Sequence, residues 1–193
     1  MNGTMANEPI PHSKSPRNGL EADYVRSILE YDPATGEFRW RPRLRGQFAT
    51  ERTFGMWNTR YAGALAGCSC RNGYRTIRIN DRLYLAHRLV WLHVTGVWPA
   101  AEIDHINGNP GDNRLANLRE ATHAENLQNT KLQRTNTSGF KGAHWNTRDG
   151  KWYAQITADG RWRFLGYFST PEAAHPAYCA AAREHHGEFA RFE

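Results

Sequence analysis

Ile103-Asp104-His105-Ile106-Asn107-Gly108 opens the stretch IDHINGNPGDNRLANLREATHAEN, residues 103–126, whose reading decides the fold. Ile103 to His105 reads as the end of a strand, and Asn107-Gly108 supplies the turn chemistry that reverses the chain. Asn117-Leu118-Arg119 reads as the returning strand. Thr122-x-x-Glu125 is a capping box, in which each side chain satisfies a backbone N–H at the start of a helix. Strand, loop, strand and helix in that order bring Asp104, His105 and Asn126 onto one small surface. A carboxylate and a side-chain amide oxygen are hard ligands, suited to Mg²⁺ or Mn²⁺ completed by water and phosphate oxygen. A histidine beside them can take a proton from water near neutral pH. Hydrolysis of a phosphodiester uses both: a base for the nucleophile and a cation for the charge that develops on phosphorus and the leaving oxygen.

Upstream, GYRTIRINDRLYLAHRLVWLHVTG (73–96) places Tyr74, Ile77 and Ile79 on one strand and Leu83 and Leu85 on another. Asn80-Asp81 is a two-residue turn between them. From Ala86 to Val94 the apolar spacing becomes helical, and Gly96 with Pro99 closes that helix. Further upstream, Leu20, Tyr24, Val25, Ile28 and Leu29 predict a helix over 20–31. YDPATGEFRW (31–40) predicts a hairpin, with Asp32, Pro33 and Gly36 in the turn. Arg39, Arg41, Arg43, Arg45, Arg52 and Arg60 then stand against a single acid, Glu51, with Trp40, Phe48, Phe54 and Trp57 interleaved. Such a segment reads either as a surface lying along phosphates or as a charged connector whose arginine stems pack on rings.

Downstream, LQRTNTS (132–138) is polar and reads as a linker. Three short strands and a helix follow, with a turn at Asp159-Gly160 and Thr170-Pro171 opening the helix. The domain expectation is therefore an unstructured opening (1–19), an arginine-rich segment with a helix and hairpin (20–60), a catalytic module (61–131), a linker (132–138) and a terminal module (139–193). The fold class is α+β.

The 193 residues carry a formal net charge of +6, a balance that favours nucleic acid or an anionic membrane surface as partner. No segment approaches the roughly 18 consecutive apolar residues of a membrane span. The opening MNGTMANEPIPHSKSPRNG lacks the apolar core of a signal peptide. A cytoplasmic setting follows as the expectation, and Cys68, Cys70 and Cys179 read as free thiols because they lack paired CxxC spacing.

From about Arg75 to Thr130 the sequence resembles the HNH (ββα-metal) nucleases, in particular the phage homing-endonuclease branch. AHRLVW (86–91), IDHINGNPGDNRLANLR (103–119) and AENLQN (124–129) stand where that branch has them. The resemblance implies a metal-dependent DNA endonuclease of a phage-infected or bacterial cell. Asp104 and Asn126 would hold Mg²⁺ or Mn²⁺, His105 would be the general base, and Asn117 would bridge the motif loop and orient His105. His123 is an alternative ligand. Arg88 and Arg119 would contact the phosphates of double-stranded DNA, or in the case of Arg119 simply add surface charge; His87 reads as a packed histidine.

Residues 136–192 resemble the APETALA-type domain of plant ethylene-response factors, through SGFKGAHWNTRDGKWYAQI (138–156) and RFLGYFSTPEAAHPAYCAAAREHHGEFA (163–190). The resemblance implies a three-stranded sheet lying in the major groove with a helix packed behind it. Carried over by position, its DNA face includes Lys141, His144, Trp145, Arg148, Trp152, Gln155 and Arg163. For Trp152, core packing is an equal reading. His144, Gln155 and Thr157 replace charged residues of the plant domains, so the base preference does not transfer, and Pro176 falls inside the helix, where it removes a hydrogen bond. Two rivals to the nuclease remain: a DNA-binding regulator that has lost activity, and a basic scaffold without nucleic acid.

Overall fold

The computed structural model describes residues 19–193; apart from Gly19, the unstructured opening expected over 1–19 lies outside the described residues. The described residues form two compact units, one of residues 19–99 with 110–116, the other of 100–109 with 117–193. The units divide the chain elsewhere than the expected boundaries at 61–131, 132–138 and 139–193. The strand-loop-strand-helix motif belongs to the same unit as the terminal sheet and helix.

In the first unit, α1 (Ala22–Ile28) buries Val25 and Ile28 completely. The expected helix to Tyr31 stops at Ile28, because Leu29 turns extended and begins β1 (Leu29–Asp32). That strand pairs antiparallel with β2 (Glu37–Trp40), with Leu29 opposite Trp40 and Asp32 opposite Glu37. The Asp32 carboxylate accepts from the Ala34 N–H (2.9 Å) and the Thr35 hydroxyl (2.8 Å), fixing the turn. Pairing with a strand four residues away thus overrides helical periodicity in Leu29–Tyr31.

The arginine-rich segment contains a helix that the sequence reading did not place, α2 (Glu51–Tyr61), capped by Thr50 accepting from the Thr53 N–H. None of its residues is fully buried; Phe54, Trp57 and Tyr61, at i, i+3 and i+7, form a half-buried aromatic stripe along it. The Arg43 guanidinium lies 4.9 Å from the centre of the Trp57 ring and 5.7 Å from that of Trp40. For Arg43, the ring-packing alternative is what the fold contains.

β3 (Cys68–Ser69), β4 (Arg75–Ile79) and β5 (Arg82–Leu85) form an antiparallel sheet in that order. Asn80 and Asp81 both take positive φ (49° and 61°), the geometry of the two-residue turn that matches strand twist. α3 (Ala86–Thr95) follows at once and ends at Gly96, in left-handed conformation with its N–H on the Leu92 carbonyl. Leu89, Val90 and Leu92 join Val25, Ile28, Leu29, Phe38, Ile77 and Ile79 as the large, fully buried side chains. His87 is buried, its ring 5.4 Å from that of Tyr74.

The second unit begins with β6 (Glu102–His105), β7 (Leu118–Ala121) and α4 (His123–Gln128). Its other half is an antiparallel sheet, in the order β10-β9-β8, of β8 (Ala143–Asn146), β9 (Lys151–Ala158) and β10 (Arg161–Phe168), with α5 (Pro171–His186) packed on one face. Ala154, Ile156 and Ala158 are buried on β9, and Ala174, Tyr178, Ala181 and Ala182 on α5; small residues let the helix lie close to the sheet. Gly142 sits at φ +77°, where a Cβ would land inside the Tyr178 ring. α5 runs on through Pro176. Both units mix helices with small antiparallel sheets, the expected α+β class. Among the described residues no helix is long and apolar enough to cross a membrane, and Cys68, Cys70 and Cys179 are free thiols.

Candidate active site

The β6–β7 register places Asp104 opposite Arg119 and His105 opposite Leu118. Asn117 closes the loop between the strands. Its Oδ1 accepts from the Asn107 N–H (3.0 Å), its Nδ2 donates to Asn107 Oδ1 (3.1 Å), and its carbonyl accepts from the Ile106 N–H (2.9 Å). The bridge expected of Asn117 is therefore a two-way amide clamp on Asn107. The His105 carbonyl accepts from the Gly108 N–H (2.6 Å), so the backbone next to His105 is held from the same loop. His105 is 5% exposed. By strand alternation its Cβ falls on the face shared with Ile103, opposite that of Glu102 and Asp104.

The Asp104 carboxylate is bonded from two sides. Its Oδ2 accepts from Arg119 Nε at 2.9 Å and lies 2.8 Å from Arg119 Nη2. Asn129 Nδ2 donates to both carboxylate oxygens (2.9 Å each) and to the His105 carbonyl (2.9 Å). Arg119 in turn donates to the Glu188 carbonyl (2.8 Å) and lies 3.6 Å from the centre of the Phe189 ring. Expected on phosphate, Arg119 is instead folded inward, its side chain 13% exposed.

Asn126 lies on α4 facing β6, but its bond goes to Glu102: Nδ2 donates to Glu102 Oε2 at 2.8 Å. His123 Nδ1 is 3.0 Å from Glu102 Oε1. Glu102 and Asp104, two residues apart, share one face of β6, and Asn126 on α4 and Asn129, the residue that caps its end, lie three apart on one side. The result is a ladder, Glu102 to Asn126 and Asp104 to Asn129. Both Glu102 and Asn129 escaped the sequence reading, although their spacings, two residues before Asp104 and three after Asn126, carried the signal. The helix start is as expected: Thr122 accepts from the Glu125 N–H (3.3 Å), and the Glu125 carboxylate accepts from the Thr122 N–H (2.7 Å), which holds Glu125 below the usual carboxylate range.

The donor set suits a hard divalent cation. An ionised carboxylate offers about four acceptor positions, and Asp104 Oδ1 uses one of its two on Asn129. Glu102 and the Asn126 amide add oxygens on the same face, and His123 an imidazole at its edge. Among the described residues no group of three or more His, Cys, Asp and Glu side chains is gathered as a metal cage.

The remaining residues singled out in the sequence divide. Arg88, in the first unit, donates to the Pro99 carbonyl (3.4 Å). Lys141 Nζ donates to the carbonyls of Gln128 (3.0 Å) and Thr130 (2.6 Å), tying the first strand of the terminal sheet to the end of α4; burial and the nearby Arg191 charge push its ammonium down to about 8. His144 stacks on Tyr153 (5.4 Å), and burial lowers its imidazole below the ordinary value. Trp145 and Trp152 are opposite one another with rings 5.2 Å apart, and Trp145, 47% exposed, lines the depression beside Tyr153 and Tyr167. Arg163, opposite Ile156, pairs with Asp159 at 3.4 Å. Gln155 alone of the β9–β10 set points to the open side, and its Oε1 accepts from Trp162 Nε1. Arg148 is exposed at the β8–β9 turn.

This hairpin, amide clamp and capped helix are the parts of an HNH endonuclease domain, and residues 84–128 match the family model described as HNH endonuclease. The chain is also 39% identical over 107 residues to Protein 3.8 of Escherichia phage T7, an alignment that covers 55% of this chain and 88% of that protein. The chain belongs to the family of that phage protein and carries an HNH endonuclease domain. No solved structure matches it. The family domain implies a nucleic acid as substrate.

Proposed function

We propose that the chain is a divalent-metal-dependent endonuclease that hydrolyses phosphodiester bonds of double-stranded DNA. The observation that supports this best is the β6–α4 face, where Glu102, Asp104 and Asn126 collect hard oxygen donors beside the clamped loop of His105. Asp104 and Asn126 would hold Mg²⁺ or Mn²⁺; when bound, the ion polarises the phosphate and offsets charge on the leaving oxygen. His105 is the residue assigned to take the proton from the attacking water, from the last position of β6, although alternation sets its Cβ on the face opposite Asp104. Asn117 acts as a positioning residue, because its clamp on Asn107 fixes the turn that follows His105. Asn129 positions from the other side, tying the Asp104 carboxylate to the His105 carbonyl. Glu102 holds the Asn126 amide by its nitrogen, which leaves the amide oxygen to act as the donor. One such centre cuts one strand, so a nick is the elementary product.

The terminal module serves as the second nucleic-acid contact, and two contacts on one chain raise affinity through effective concentration. One observation favours the rival reading, a DNA-binding regulator that does not cut: the Arg119 guanidinium already neutralises Asp104. End-labelled duplex incubated with Mg²⁺ or Mn²⁺ separates the two. A nuclease shortens the label, and His105→Ala loses cutting while keeping DNA affinity. Binding without cleavage by the wild-type protein supports the regulator.

A further inference from the structure

The face of the β8–β10 sheet turned away from α5 is built of rings. Strand alternation puts Ala154, Ile156 and Ala158 under the helix, so Tyr153 and Gln155 point to the open side. The register adds His144 and Tyr167 opposite Tyr153, Phe164 opposite Gln155, and Trp162 opposite Thr157. Trp162, Phe164 and Tyr167 are 58%, 44% and 49% exposed. Neighbouring ring centres lie 5.0 Å (Phe164–Tyr167) to 6.5 Å (Tyr153–Tyr167) apart, a continuous platform with a shallow depression of about 350 Å³ over it.

These rings are held at their edges and open at their faces. Trp162 Nε1 donates to Gln155 Oε1. The Tyr167 hydroxyl donates to Asp149 (3.0 Å) and accepts from Asn146 Nδ2 (3.2 Å). Arg148 and Lys151 are exposed at the β8–β9 turn beside it, and the whole chain is positive, +6. A face of exposed rings with cations beside it fits flat rings on a polyanion.

The major groove of an intact duplex presents base edges, read by donors and acceptors. On this face the Gln155 carbonyl is engaged by Trp162 and the Tyr167 hydroxyl by Asp149 and Asn146. Ring faces stack on base faces, which are accessible only in unpaired strands. We propose that the open face of β8–β10 binds an unpaired stretch of nucleic acid, in a bubble or at an end of the substrate, by stacking its bases on Trp162, Phe164, Tyr167 and Tyr153. The proposal rests on the reading of the chain as a protein that acts on nucleic acid; it does not rest on cleavage.

The test uses the full chain in EDTA, so that no strand is cut. Anisotropy is read for a fluorescein-labelled oligothymidylate of about 12 nucleotides, within the span one small sheet domain covers, and for a duplex of equal length. The oligothymidylate should bind and quench tryptophan fluorescence. Trp162→Ala and Phe164→Ala should each weaken that binding by roughly 5- to 150-fold, the range for one lost base stack, and leave duplex affinity within about two-fold. Trp162→Phe should retain most of the affinity, and an unchanged circular dichroism spectrum shows that each variant is folded. Failure to bind oligothymidylate, unchanged binding by the folded alanine variants, or an equal loss on duplex overturns the proposal. Failure of the nuclease reading shows separately, as absence of cleavage with metal while this binding persists.

Discussion

Arg119→Met should be the most destabilising single change in the hairpin, and the structure gives its size. The Asp104 carboxylate is 5% exposed and the Arg119 side chain 13%, with two guanidinium nitrogens 2.8 and 2.9 Å from one oxygen. Removing one partner of such a pair leaves a carboxylate out of water without its counter-charge, a cost of about 3–5 kcal/mol. Loss of the contact over Phe189 adds about 0.5–2 kcal/mol. Against the roughly 5–15 kcal/mol that holds a domain folded, the loss is large. Replacing both partners by apolar residues of similar size, Asp104→Leu with Arg119→Met, should return most of it, because no charge is then stranded. The assay is urea unfolding in EDTA, followed by circular dichroism, for wild type, both single variants and the double variant. A loss below about 1 kcal/mol for Arg119→Met, on a scale where ordinary surface pairs fall, or additive effects in the double variant, would refute the reasoning. In the Arg119→Met background Mg²⁺ or Mn²⁺ should recover about 2.7 kcal/mol at a hundred-fold excess over its Kd, because the ion replaces the lost charge.

Gly142→Ala should destabilise the terminal module by more than about 2 kcal/mol, the sum of strain at a left-handed position and displacement of the Tyr178 ring; an unchanged unfolding midpoint contradicts the close approach. Lys141 gives a pH signature. Its ammonium falls to about 8 in the folded chain against an ordinary 10.5, so between those values the unfolded chain binds more protons and stability rises with pH. The contribution is flat below about 8, where both states are charged, and above 10.5, where both are neutral. Comparing wild type with Lys141→Met across that window should show the wild type gaining on the variant as pH rises; parallel profiles contradict it.

Much of the fold was legible where the local signal is chemical. Asn80-Asp81 adopts the turn its residues predict, Thr122 and Glu125 make both halves of the capping box, and Gly96 closes α3. Two elements were not legible, for different reasons. Leu29–Tyr31 carries helical periodicity, but the Asp32 turn commits it to a strand. α2 buries no residue fully, and its half-buried rings Phe54, Trp57 and Tyr61 stand among arginines, where the same residues also read as a basic, aromatic surface. At the site, Asp104 and Asn126 were proposed from the strand-loop-strand-helix spacing and Asn117 from the family resemblance, but the side chains they bond to could not be read either way. That Arg119 turns inward onto Asp104, rather than outward to phosphate, depends on the Glu188 carbonyl and the Phe189 ring, 69 and 70 residues along the chain. The terminal sheet could be traced from its sequence, but the bulge between Phe164 and Gly166 brings Phe164 and Tyr167 onto the same face, three residues apart, which simple alternation does not predict.

The central claim, metal-dependent cutting that uses His105, is tested most directly on supercoiled plasmid. The protein is incubated with Mg²⁺ or Mn²⁺, with and without EDTA, beside His105→Ala whose fold is verified by circular dichroism. The account predicts nicked circles that appear with wild type and metal, disappear with EDTA, and are absent with His105→Ala. Intact plasmid in every lane, on DNA that the wild-type protein demonstrably binds, or equal nicking by the variant, would contradict it.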